Sequence, residues 1–77
     1  MIANKQLAGN IIHFAKEKYG ISCAWPRTMA LLNRLEYKYI IKSALNIPEK
    51  TKFKDGDSFL NYIQKVATEL QLKEMDK

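Results

Sequence analysis

The sequence predicts an all-α fold, a compact bundle of three main helices. Three stretches carry apolar residues at helical spacing, at about residues 5–19, 26–46 and 58–75. Glycine and proline separate these stretches, and short links between amphipathic helices favour a bundle. The connector after the first stretch has room for one extra short helical turn. Because a chain of 77 residues has material for one core, we expect residues 1–77 to form a single small helical domain.

The first predicted helix has the best-marked end in the chain. Asn4 suits its N-cap, and Gly20 supplies the left-handed residue that commonly follows a last turn. His13 lies opposite the apolar stripe, so we expect it at the surface. The stripe consists of Leu7, Ala8, Ile11, Ile12, Ala15 and Tyr19.

The second predicted helix is the central one. Pro26 suits its first position, and Pro48 disfavours helical geometry at the residue before it. Apolar residues cover most of its circumference, which is typical of a helix on which others pack. Glu36 falls inside this apolar face, where we expect it to pair with a lysine; the alternative is a functional acid in a groove.

A lysine-rich loop precedes the last predicted helix. Lysines alternate with other residues over 50–54, and Asp55-Gly56 is a turn signal. Asp57 suits the N-cap of the helix that follows. The apolar stripe of this helix consists of Phe59, Ile63, Val66, Ala67 and Leu70.

Residues that could carry out catalysis or bind a metal are few and scattered. Cys23 and His13 are the only residues of their types, so the chain has no internal disulfide and no zinc-ligand set. We expect a surface histidine and a half-buried thiol rather than a nucleophile with its base. Neither a calcium loop nor a glycine-rich phosphate loop is present. The sequence therefore predicts no enzymatic activity, no metal and no cofactor.

Positive charge is concentrated in the first two thirds of the chain. Residues 1–54 contain ten basic and three acidic side chains, a net charge of +7, whereas residues 55–77 contain three basic and five acidic ones, a net of −2. Such an excess attracts anionic partners without specifying their class.

A cationic ridge is the most distinctive predicted surface. Arg34, Lys38 and Lys42 are four residues apart, so on one helix they would share a stripe. The alternative is a solvated face that only keeps the protein soluble. Trp25 either contributes to the surface or packs on the first turn of its helix as a hydrophobic staple. The predicted partner-binding residues are Trp25, Arg27, Arg34, Tyr37, Lys38, Lys42, Lys50, Lys52 and Lys54.

These features favour a small, non-enzymatic interaction or regulatory protein. Its partner would be a protein that docks an acidic surface on the ridge. The alternative is a nucleic-acid-binding regulator that uses the same ridge together with the N-terminus of the second helix, where free backbone N–H groups attract phosphate. No stretch approaches the roughly 20 apolar residues of a membrane span, and the first residues lack the layout of a signal peptide. We therefore expect a cytoplasmic protein that does not associate with membranes, in an oligomeric state that the sequence leaves open.

Overall fold

The computed structural model describes residues 4–75 and contains four helices there. They are α1 (Asn4–Tyr19), α2 (Trp25–Arg34), α3 (Tyr37–Leu45) and α4 (Gly56–Met75). No strand occurs within this part of the chain, so the all-α prediction is confirmed. The radius of gyration of 11.9 Å is close to the value of about 11 Å expected for a compact domain of this length. The prediction of three main helices is wrong, because the second one is divided.

The predicted helix over 26–46 breaks after Arg34. Leu35 (φ −131°, ψ 148°) and Glu36 (φ −72°, ψ 142°) are both extended. Neither residue is glycine or proline, so the sequence carries no local signal for the break. Leu35 nevertheless stays in the core, where it is only 7% exposed.

The lengths of the helices explain why the break is needed. α2 packs on α1 and runs back towards its start, where Leu32 and Leu7 line the same cleft. A continuous helix would extend about 15 Å further and carry the apolar residues of α3 past the end of α1 into water. The break instead lets α3 pack along α4, which buries Tyr39 and Ile40. The predicted central helix is therefore two short helices, of which α2 packs mainly on α1 and α3 packs mainly on α4.

All four helices contribute to the hydrophobic core, together with three residues from the connectors. Phe59, Ile40 and Ile63 are the largest apolar side chains that are completely buried. The buried apolar residues are Ala8, Ile11, Ala15, Cys23, Leu31, Leu32, Leu35, Tyr39, Ile40, Ala44, Ile47, Phe59, Leu60, Ile63 and Ala67. The stripes predicted for the first and last helices are thus the faces that pack.

The C-terminal end of α1 is confirmed, whereas α1 begins at Asn4 itself, which was predicted as the N-cap, and the start of α4 is also shifted. Gly20 has φ +67°, and its N–H donates to the Lys16 carbonyl at 3.0 Å, as expected for a left-handed residue after a last turn. α4 begins at Gly56, one residue before the predicted N-cap. The cap is Asp55, whose Oδ1 accepts the backbone N–H of Ser58 at 2.8 Å. The assignment of Asp57 as the N-cap is therefore wrong, which leaves its carboxylate free for another contact.

Candidate functional site

The predicted surface residues lie on separate parts of the molecule. Because residues 35 and 36 are extended, Arg34 on α2 and Lys38 on α3 do not share a helical stripe. The continuous Arg34–Lys38–Lys42 ridge is therefore wrong. The nine residues fall into four groups: Trp25 and Arg27 at the start of α2, Arg34 and Tyr37 around the break, Lys38 and Lys42 on α3, and Lys50, Lys52 and Lys54 in the loop.

Arg27 makes a half-exposed ion pair with a residue of another helix. Its Nε lies 3.3 Å from Oδ1 of Asp57, and its Nη1 donates to Oδ2 of Asp57 at 3.4 Å. The first turn of α2, which has no acidic residue of its own, is thereby linked to the first turn of α4. A cation at a helix N-terminus is unfavourable by itself, and the carboxylate offsets this. The Arg27 guanidinium is thus already paired with α4.

Lys38 is held by its neighbours on both sides. Its Nζ lies 3.7 Å from Oε2 of Glu36 and 5.0 Å from the centre of the Tyr39 ring. Tyr39 first, and Glu36 after it, raise the pKa of Lys38. Glu36 does contact a lysine, but the prediction of a structural pair inside an apolar face is wrong, because Glu36 is exposed at the start of α3 and Lys38 is two residues further along the chain.

The two aromatic residues of the predicted surface have different surroundings. Trp25 is 47% exposed, and one edge of its ring lies beside Gly9 of α1. Tyr37 is half-buried and lines an open cleft of about 340 Å³ with Arg34 and Gln71. Each therefore offers part of a ring to solvent, in a different place.

Lys18, which is not among the predicted surface residues, lies near the lysine-rich loop. Lys18, in the last turn of α1, and Lys52 line one cleft of about 400 Å³. A lysine in the last turn of a helix is explained by its favourable interaction with the helix dipole. The sequence around Lys18 therefore gave no sign of a binding site. We name this cleft the lysine–aromatic cleft; its lining residues are Lys18, Tyr19, Glu49, Thr51, Lys52 and Phe53.

An aromatic cluster supports the cleft from below. The Phe53 ring packs edge-on against Tyr19, Phe59 and Tyr62, with centroid distances of 5.0, 5.3 and 5.6 Å. These contacts fix the middle of an otherwise polar loop on α1 and α4. Edge-to-face pairs of this kind contribute about 0.5–1.5 kcal/mol each beyond burial. The walls of the cleft are therefore held in place before any partner binds.

Two groups at the cleft have defined electrostatic states. The Lys18 ammonium lies 5.5 Å from the centre of the Phe14 ring and 5.8 Å from that of Tyr19, within cation–π range. Burial, with a smaller effect of Tyr62, raises the pKa of Tyr19. At neutral pH the cleft thus presents an oriented cation and a neutral phenol.

The loop lysines and Lys18 make no ion pair within 4.0 Å with any other described residue. Across residues 4–75 the ion pairs are Arg27–Asp57 and Lys38–Glu36, and no other pair lies within 4.0 Å. Lys50, Lys52 and Lys54 are all exposed. The strongest unpaired positive charge among the predicted residues is therefore in the loop, and not on α3.

The single thiol is enclosed by the fold rather than offered to a ligand. Cys23 is 6% exposed instead of half-buried, and its Sγ lies 3.9 Å from the Gly56 carbonyl oxygen. Burial, followed by the charge of Asp57, raises the pKa of Cys23. A buried protonated thiol is a poor nucleophile. His13 is exposed on α1, as expected.

The described residues contain neither a cluster of metal ligands nor a membrane-spanning helix. Within the described part of the chain, no three His, Cys, Asp or Glu side chains lie close enough together to hold a metal ion. Among residues 4–75, no helix combines the length and the apolar character required to cross a bilayer.

Comparison with known proteins adds no family to these observations. The chain matches no protein-family model, no curated protein and no solved structure at a significant level. Its function must therefore be inferred from the arrangement of its own residues.

Proposed function

We propose that this is a small non-enzymatic interaction protein whose partner is a protein that docks an acidic surface on the loop side of the bundle. The loop surface consists of Lys18, Lys50, Lys52 and Lys54. The observation that carries the proposal is that two of these unpaired lysines, Lys18 and Lys52, line a cleft with aromatic walls. Lys50 and Lys54 are exposed two residues to either side of Lys52 along the loop. A cytoplasmic location, expected from the sequence, belongs to the same proposal.

The combination of charge and aromatic surface supports binding rather than a solvated face. Lysines that only maintain solubility need no particular neighbours. Here Lys18 and Lys52 flank the partly accessible rings of Tyr19 and Phe53. Interfaces are enriched in aromatic residues that are buried on binding, and complementary charges speed the encounter. The loop is also anchored by Phe53, which lowers the entropy cost of ordering it.

A nucleic-acid-binding function is the second candidate. Lysines at 50, 52 and 54 alternate along the loop, and bases can stack on exposed aromatic rings. Such binding would weaken steeply with salt, because each phosphate contact releases counterions. The break after Arg34 weakens this candidate, since the extended cationic ridge that would follow a phosphate backbone is divided.

Affinity capture with charge-reversal variants tests the proposal. The tagged chain is incubated with lysate of its native source, with and without nuclease treatment, and captured proteins are identified by mass spectrometry. The loop variant combines Lys50→Glu, Lys52→Glu and Lys54→Glu. The control combines Lys5→Glu, Lys65→Glu and Lys73→Glu, which makes the same change in net charge at exposed positions elsewhere. Circular dichroism verifies that both variants are helical.

We expect the control to retain the partner and the loop variant to lose it. Calorimetry with the purified partner then gives the change in affinity, and the partner's binding surface should be acidic. Equal capture by the loop variant and the wild type would exclude this surface. Loss of all partners on nuclease treatment would favour the nucleic-acid function.

A further inference from the structure

The lysine–aromatic cleft has the features of an anchoring pocket within the larger loop surface. Its volume of about 400 Å³ lies within the range of roughly 300–1,000 Å³ typical of pockets that hold small ligands or single side-chain groups. Lys18 and Lys52 supply two ammonium groups, and Tyr19 and Phe53 supply aromatic walls. The cleft therefore combines charged and apolar recognition in one place.

We propose that this cleft binds a short acidic peptide segment containing an aromatic residue, presented by the partner protein. Carboxylates of the segment lie near Lys18 and Lys52, and its aromatic side chain packs against Tyr19 and Phe53. This inference rests on the proposed function, and it specifies which part of the loop surface dominates binding. A few buried aromatic anchors usually contribute most of the binding energy of an interface, whereas exposed charge pairs contribute little.

Glu49 is the residue that favours a peptide over a nucleic acid. Its side chain lines the same cleft as Lys18 and Lys52. A nucleic acid carries a charge on every phosphate, so the exposed carboxylate that lines the cleft repels it. A peptide can place carboxylates near the lysines and direct backbone N–H donors to Glu49. The mixed charge of the cleft thus discriminates between the two classes of macromolecule.

The test uses two defined peptides and the 77-residue chain. The first is a fluorescein-labelled peptide with the core Glu-Glu-Trp-Glu-Glu between glycine–serine spacers. The second has serine in place of tryptophan and therefore the same charge. Fluorescence anisotropy gives both affinities, and amide chemical shifts in ¹⁵N-labelled protein locate the binding site. An oligothymidine competitor tests the nucleic-acid alternative.

We expect the tryptophan peptide to bind about tenfold more tightly than the serine peptide, which corresponds to one well-packed aromatic contact. Its addition should shift the amides of Lys18, Tyr19, Lys52 and Phe53. A variant with Lys18→Gln and Lys52→Gln should weaken binding at least as much. The matched control with Lys65→Gln and Lys73→Gln should bind like the wild type, because these lysines lie on α4 outside the cleft.

Equal affinity for the two peptides would overturn the inference, because attraction would then be purely electrostatic. Amide shifts confined to another surface would also overturn it. So would displacement of the labelled peptide by oligothymidine at a lower concentration than that of unlabelled peptide needed for the same effect. These results are separate from failure of the proposed function. If the loop variant loses the native partner while both peptides bind equally, the docking surface stands and only the anchoring cleft is wrong.

Discussion

Gly56 is a residue at which two parts of the chain approach closely. A Cβ added to it would overlap the Ser22 carbonyl oxygen and lie 2.8 Å from Cα of Cys23. These are backbone atoms, which cannot move away as the end of a flexible side chain can. The first turn of α4 therefore packs directly on the connector between α1 and α2 only because residue 56 has no side chain.

We expect Gly56→Ala to lower the free energy of unfolding by about 3 kcal/mol or more, the upper range for overpacking. Denaturant unfolding followed by circular dichroism measures the change. Gly9→Ala is the matched control, because its Cβ would lie 3.5 Å from the Trp25 ring, an ordinary contact. It should be neutral or stabilise α1 by up to about 1 kcal/mol. Similar effects at the two glycines would refute the close approach.

Asp55 makes the stability of α4 sensitive to acid. Hydrogen bonding to the backbone N–H of Ser58, and then to its side chain, lowers the pKa of Asp55 below its ordinary value of 3.8. Because the folded-state pKa is lowered, the stabilisation is fully present above 3.8 and is lost as the pH falls through the folded-state pKa.

We therefore expect Asp55→Ala to lower the melting temperature at neutral pH, and to approach the wild-type value as the pH falls below 3.8. Asp55→Asn keeps a side-chain acceptor for the Ser58 N–H, so it should retain more of the neutral-pH stability. Thermal unfolding over this pH range measures both. A constant gap between Asp55→Ala and the wild type at all pH values would contradict this role.

At the scale of helices, the break between α2 and α3 decides how the chain folds. The φ value of Glu36 is one that proline adopts. The φ and ψ values of Leu35 are those favoured for the residue before a proline. The Glu36 N–H donates to the Gln71 side chain at a long, exposed 3.4 Å, so little is lost when it is removed. A proline at residue 36 thus distinguishes a broken helix from a continuous one.

We expect Glu36→Pro to change the free energy of unfolding by no more than about 1 kcal/mol. Lys42→Pro, at an exposed position inside α3, should cost about 3 kcal/mol or more because it removes a helical hydrogen bond. Chemical denaturation of both variants provides the comparison. A large loss of stability with Glu36→Pro would mean that the two helices are one.

At the scale of the whole molecule, Cys23 reports on opening of the core. It belongs to the core cluster and lies beside the contact between the α1–α2 connector and Gly56. Its raised pKa also disfavours the thiolate in the folded state. A thiol reagent can therefore react readily only after the helix pairs separate.

We expect the native protein to react with a disulfide reagent at least about 1,000-fold more slowly than the unfolded chain, as is typical of small folded domains. Gly56→Ala should accelerate the reaction in proportion to its loss of stability. Stopped-flow absorbance with and without denaturant measures both rates. Fast labelling of the native protein, unaffected by Gly56→Ala, would show that Cys23 is accessible without unfolding.

Much of the architecture followed from local patterns in the sequence. Helical spacing identified α1 and α4 and their buried faces, because the apolar stripe of an amphipathic helix is buried whichever element packs on it. Gly20 marked the end of α1 because few other residues adopt its backbone geometry readily. The lysines of the loop were identified as a cationic surface from composition alone, and they remain the basis of the proposed function.

Only the tertiary structure decided the break after Arg34, because its cause is non-local. Residues on both sides of it favour a helix, but a straight helix would leave the apolar face of α3 in water. Contacts between distant segments also pair Arg27 with Asp57 and place Lys18 beside the loop lysine Lys52. Ion pairs and clefts form between residues distant along the chain, so spacing within one element does not reveal them. Amphipathic spacing therefore indicated the buried faces of α1 and α4, whereas packing between distant segments buried Cys23, exposed Glu36 and brought the charged residues together.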